Sequence, residues 1–90
     1  MWTVEHSKRF LKELAALPKN VQSRIELIVF EELESEEPFG LGYLRKLKGY
    51  QDEYKIRVGD YRIGVTVDKA NQKILCQRAA HRRDIYRIFP

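Results

Sequence analysis

A single cysteine, Cys76, stands in this ninety-residue chain, so neither an intrachain disulfide nor a cysteine-based metal cluster is open to it. Its apolar neighbours predict a buried, inert thiol. Long hydrophobic runs are also missing. No stretch approaches the roughly 18 apolar residues that cross a bilayer. The opening "MWTVEHSKRF" has neither the apolar core nor the small-residue cleavage site of a signal peptide. A cytoplasmic protein with no membrane role is the expectation. Proline and glycine are sparse, at 3 and 5, which excludes collagen-like and low-complexity architectures, and no internal repeat or polar linker divides the chain. A hydrophobic fraction of 43% beside 33% charged residues belongs to a soluble globular fold, and the length suits one domain spanning residues 1–90.

Acidic residues are scarce in one half only. Residues 1–40 hold 8 Asp and Glu against 5 Lys and Arg, net −3, whereas residues 41–90 hold 5 against 12, net +7. The basic surface therefore belongs to the C-terminal half. Such a field favours a polyanion, nucleic acid first, with an acidic protein segment as the other class of partner. No acidic cluster suited to magnesium is apparent along the chain, so the expectation is a protein without metal or cofactor. Five glutamates between positions 31 and 37 lie toward the end of a helix, where the macrodipole favours cations. They read as a solvated run that would also keep nucleic acid away from that end.

"MWTVE" alternates and predicts a short strand over Trp2–Glu5. "SKRFLKELAALP" predicts a helix capped by Ser7 and stopped by Pro18, with Phe10, Leu14 and Leu17 at helical spacing and Leu11 beside them. "KNVQSRIELIVFEELESEE" predicts a second, whose Val21, Ile25, Ile28, Val29 and Leu33 form a core stripe. Leu27 and Phe30 fall outside that stripe, either packing on the first helix or forming a partner groove. "PFGLG" breaks the pattern. "YLRKLKG", "EYKIRVG", "YRIGVTVD" and "KILCQRAA" are then strand-like, with turn signals at "GD" and "DKANQ" that predict an antiparallel meander. The closing "HRRDIYRIFP" is too short and too charged to assign. The fold expected is α+β, an antiparallel sheet with two N-terminal helices packed on one face and the other face free for function.

One short stretch concentrates the chemistry. A two-residue Gly59-Asp60 loop, with glycine supplying the positive φ of a type II′ turn, sets the hairpin register. Val58 then faces Tyr61, Arg57 faces Arg62, Ile56 faces Ile63, Lys55 faces Gly64 and Tyr54 faces Val65. Alternation sends Tyr54, Ile56, Val58, Tyr61, Ile63, Val65 and Val67 to the helix-covered face and Lys55, Arg57 and Arg62 to the other. Like charges directly opposite one another destabilise a sheet, so the arrangement needs a reason. Basic side chains splaying into water is one; an anion site is the other, with Gly64 leaving room for a phosphate. The fourth strand and tail add Arg78, His81, Arg82, Arg83, Tyr86 and Arg87. Cations for phosphate charge, a titratable imidazole and an aromatic ring are the parts needed for RNA cleavage. Without metal, the attacking group would be the RNA's own 2′-hydroxyl, giving a cyclic phosphate and sparing DNA.

In their order, "FLKELAALPKNVQSRI", "LRKLKGYQDEYKIRVGDYRIGVTVD" and "HRRDIYRIFP" resemble the RelE/ParE superfamily of bacterial type II toxins, particularly its RelE-like branch. The resemblance covers nearly the whole chain, and "YKIRVGDYRI" followed by "HRRDIY" carries it. It implies a β-α-α-β-β-β toxin that enters the ribosomal A site, cuts mRNA there and is neutralised by a cognate antitoxin. The 70S ribosome and mRNA are the further partners implied. Family roles fall on Lys55, Arg57, Arg62, Arg82 and Tyr86. Lys55 would activate the 2′-hydroxyl or hold the phosphate, Arg62 would stabilise phosphorane charge, Arg82 would assist the leaving 5′-oxygen, and Tyr86 would stack on the bases. Arg57 stands where the best-known members often have lysine, and a guanidinium is a poor base. General-base work therefore falls to Lys55 or His81. Lys46, Lys48, Arg78, Arg83 and Arg87 are expected to contact RNA, and Arg83 is the reserve for the role given to Arg82. The ParE-like branch shares the fold and poisons DNA gyrase by protein contact, which is the alternative, and a noncatalytic RNA-binding module is a third.

Overall fold

The computed structural model describes residues 1–90. Strand β1 (Thr3–His6) leads into helix α1 (Lys8–Ala15) and helix α2 (Lys19–Leu27). A π-helical turn (Ile28–Glu32) and a 3-10 turn (Pro38–Leu41) follow, then β2 (Leu44–Lys46), β3 (Glu53–Val58), β4 (Tyr61–Asp68), β5 (Lys73–His81) and helix α3 (Ile85–Ile88). The sheet order is β1-β5-β4-β3-β2.

Local chemistry explains the helices. Ser7 caps α1, its hydroxyl accepting from the Phe10 N–H at 3.0 Å, and Pro18 separates α1 from α2. The predicted stripe is buried throughout, with Ile25, Val29 and Leu33 wholly enclosed against Ile56, Ile63, Val65 and Ile74 of the sheet. Leu11, Leu27 and Phe30 all remain exposed, the Phe30 ring meeting His6 edge-on at 4.7 Å. Cys76 lies in the core, where burial pushes its thiol up to about 12.

The sheet departs from expectation in one respect. The β2–β3–β4–β5 run is antiparallel, but β1 pairs parallel with β5, Thr3 opposite Lys73 through His6 opposite Cys76, so the sheet is mixed. Parallel neighbours need a long crossover and leave no turn signal in the sequence. Beyond Cys76 the β5 edge has no strand beside it, and α1 supplies side chains instead. The Ser7 hydroxyl donates to the Gln77 carbonyl at 3.0 Å, the Glu13 carboxylate accepts from the Ala79 N–H at 2.9 Å, and Arg78 forms a 2.7 Å ion pair with Glu13. Gln77 is the extra residue of a bulge, since Gly64 faces Arg78 and Val65 faces Cys76.

The face away from α1 and α2 is not wholly free. Helix α3 folds back onto it, and Ile85, Phe89 and Leu47 form a second small core. Arg78 Nη1 also donates to the Ile88 carbonyl at 3.1 Å, tying α3 to α1 through β5. The space expected beside Gly64 for a phosphate is filled: a Cβ there would lie 2.5 Å from the Phe89 ring. Glycine is required at this position by an aromatic ring.

Two outcomes follow for stability. Gly64→Ala is expected to cost about 1–3 kcal/mol through overpacking, and in a Phe89→Ala background the same change should be close to neutral, as read by urea denaturation. Burial works to raise the Glu13 pKa, but the hydrogen bonds from Arg78 and Ala79 and the Arg78 charge outweigh it, and the net displacement is downward. Its contribution is present above the ordinary value of 4.5 and is lost as pH falls through the lower native value. Glu13→Gln should remove about 1–3 kcal/mol near neutrality and flatten the loss of stability as pH falls below the ordinary value of 4.5.

Candidate functional site

The β3–β4 register is the expected one, with Arg57 opposite Arg62 and Lys55 opposite Gly64. Gly59 has φ +59° while Asp60 keeps a negative φ, as a type II′ turn requires. Strand β2 extends the pattern, placing Arg45 opposite Lys55. Arg45, Lys55, Arg57 and Arg62 thus line one cleft with Gly42 and Tyr43. The Tyr43 hydroxyl donates to Glu32 at the cleft's edge, and that bond pushes the phenol's pKa up.

Arg62 and Lys55 are each held by a specific contact. Arg62 Nη1 donates to the Gly59 carbonyl at 2.8 Å and to the Tyr61 carbonyl at 2.9 Å. Those two bonds use the Nη1 protons and leave the Nε–Nη2 edge, the fork that grips two oxygens of a phosphate. Lys55 Nζ donates to the Tyr86 hydroxyl at 2.6 Å and lies 5.2 Å from the ring centroid. Tyr86 is 56% exposed, so the bond holds its ring over the surface rather than in the core.

The end of β5 completes the constellation. The Arg82 N–H donates to the Asp60 carbonyl at 2.7 Å, and His81 stands opposite Tyr61 with the rings edge-on at 5.3 Å. His81 Nδ1 accepts from the Arg83 N–H at 3.3 Å, so the neutral ring presents its Nε2–H outward as a donor. A second cleft is lined by Arg62, His81, Arg82, Arg83 and Tyr86, and a third by residues that include Lys46, Lys48, Lys55 and Tyr86. The three share Lys55, Arg62 and Tyr86 pairwise, forming one basic trough lined by no Asp or Glu side chain.

Most of the residues singled out in the sequence meet here, and some do not. Arg78, expected on the RNA surface, is engaged by Glu13 and the Ile88 carbonyl. Its charge is neutralised because β5 needs an edge partner where β1 stops. Arg87 pairs with Asp84 at the margin. Arg45 and Tyr50 line the trough but were not among the candidates. The parity of Arg45 with Lys55 becomes readable only once β2 is known to pair with β3 in this register. Arg57 has no anion beside it, and Arg57→Thr is expected to raise stability by a few tenths of a kcal/mol, more at low ionic strength, in urea titrations.

Residues 4–86 match the family model described as the ParE toxin of the type II toxin–antitoxin system, parDE. The chain is 40% identical over 85 residues to Toxin RelE3 of Methanocaldococcus jannaschii, covering 93% of this chain and 94% of that protein. Its fold superposes with a TM-score of 0.78 on a chain of the RelB–RelE antitoxin–toxin complex from Methanococcus jannaschii, at 38% identity over 96% of this chain and 99% of that one. The isolated E. coli RelE toxin shares the fold alone, with a TM-score of 0.69 at 24% identity over 90% and 84% of the two chains. This chain belongs to the RelE/ParE superfamily of type II toxin–antitoxin toxins and to its RelE family.

Proposed function

We propose that the protein is a ribosome-dependent mRNA endonuclease, acting in the cytoplasm and held in check by a cognate antitoxin. The observation that carries this reading is the junction of three clefts on Lys55, Arg62 and Tyr86, a lysine, an arginine fork and an exposed ring in one trough that no Asp or Glu side chain lines. The 2′-hydroxyl oxygen attacks the adjacent phosphorus, its proton passing to the Lys55 amine, and the bond from phosphorus to the 5′-oxygen breaks. Arg62 offers its Nε–Nη2 edge to the phosphorane oxygens, where charge develops. Arg82 and the outward Nε2–H of His81 stabilise the departing 5′-oxygen, which takes its proton from solvent. Arg57 holds phosphate charge without taking a proton.

With its ring exposed and its hydroxyl tethered, Tyr86 offers a stacking surface for a base. Because the site has few groups that move protons near neutrality, orientation of the mRNA by the ribosome must supply much of the rate. The solved relatives include RelE bound to RelB, which supports an antitoxin as partner. An acidic or apolar antitoxin segment laid on the +7 half would neutralise the field that draws RNA. A gyrase-directed reading is kept by the ParE description of the matching family.

Mapping mRNA ends after a brief pulse of expression decides between them. Cuts within translated codons that disappear when translation is blocked, and that fall by about 10²–10³-fold in Arg62→Ala, are the expected result. Arg62→Lys should recover little, because it keeps the charge and loses the fork. Intact mRNA alongside growth arrest and DNA damage would overturn the nuclease in favour of gyrase.

A further inference from the structure

The cleft that Lys46, Lys48, Lys55 and Tyr86 share is larger than the chemistry above uses. It encloses about 420 Å³, within the range of small-ligand pockets of about 300–1,000 Å³. Its floor is apolar, supplied by Leu47 and Phe89, both buried in the small core under α3. Its rim carries three lysines and two tyrosines, Tyr86 at 56% exposure and Tyr50 at 49%.

The placement of Tyr50 is built rather than incidental. Residues 47–50 form a turn closed by the Tyr50 N–H on the Leu47 carbonyl at 3.2 Å. Gly49 occupies its third position with φ +86°, the left-handed conformation that a type II turn demands there. One end of the turn is therefore anchored through Leu47 in the floor, and the other holds a half-exposed ring at the rim. Half exposed, the Tyr50 ring contributes little to the core. Flat aromatic faces beside lysines over an apolar floor match a nucleobase with its phosphate, since every base has a π-face and every linkage an anion.

We infer that this cleft is a nucleobase-binding subsite beside the scissile linkage, with Tyr50 as a positioning residue that sets which base is accepted there. The inference rests on the RNA-cleaving reading. Tyr50 does not touch the reacting atoms and acts by stacking on the neighbouring nucleotide.

The test uses the full chain on ribosomes programmed with mRNAs that differ only in the base flanking the cut. Tyr50→Ala and Tyr50→Leu are compared with Tyr50→Phe, and thermal melts establish that each is folded. Loss of one stacked base predicts about a tenfold fall in kcat/KM for the first two, with the preference among flanking bases flattened. Tyr50→Phe keeps the ring and should retain both rate and preference. Equal rates and unchanged preference in folded Tyr50→Leu would overturn the subsite while leaving the nuclease standing. Absence of cleavage by the wild type removes the nuclease reading and the subsite with it. If Tyr50→Leu cuts normally but escapes its antitoxin, the cleft belongs to a protein segment instead, and the inference fails.

Discussion

Arg57 and Arg62 face one another across the β3–β4 ladder, held in that register by the Gly59–Asp60 turn, and the architecture of the basic face is arranged around that juxtaposition. A slip of β3 by one residue would turn Ile56 outward and bring Lys55 and Arg57 into the core. The register that builds the core is therefore the register that gathers the charge. Arg62 meets this constraint by folding one nitrogen onto the carbonyls of its own turn, and Lys55 by reaching across to Tyr86. The repulsion that remains is small in water, and the large apolar core behind the strands outweighs it.

The outer face has two functions divided along the strands. Toward Gly64 it is a packing surface, where Phe89 lies directly on the backbone and Leu47 and Ile85 close around it. Toward the hairpin it is an open basic trough. Helix α3 serves both, since Ile85 and Phe89 bury inward while Tyr86 between them projects over the cations. The same short helix is tied by Arg78 to Glu13 of α1, so the position of Tyr86 depends on an ion pair at the far edge of the sheet.

Edges of the sheet are managed by side chains. Where β1 ends, Ser7 and Glu13 satisfy Gln77 and Ala79, which consumes Arg78 and removes one cation from the surface. Counting basic residues in the C-terminal half could not have separated this arginine from those of the trough, because its partner lies 65 residues away in the chain. The parallel pairing of β1 was likewise hidden, lacking any local turn to announce it.

The sequence by itself determined α1 and the start of α2, the antiparallel hairpins and the facing of Lys55, Arg57 and Arg62. Helix caps, strand alternation and a two-residue turn act over a few residues, and their geometry is local. Tertiary structure alone decided that Arg45 joins the trough, that Arg78 leaves it, that Gly64 makes room for Phe89 rather than for a ligand, and that Tyr86 is tethered to Lys55. Those outcomes depend on contacts between residues far apart in the chain, and periodicity carries no information about which distant side chain will arrive.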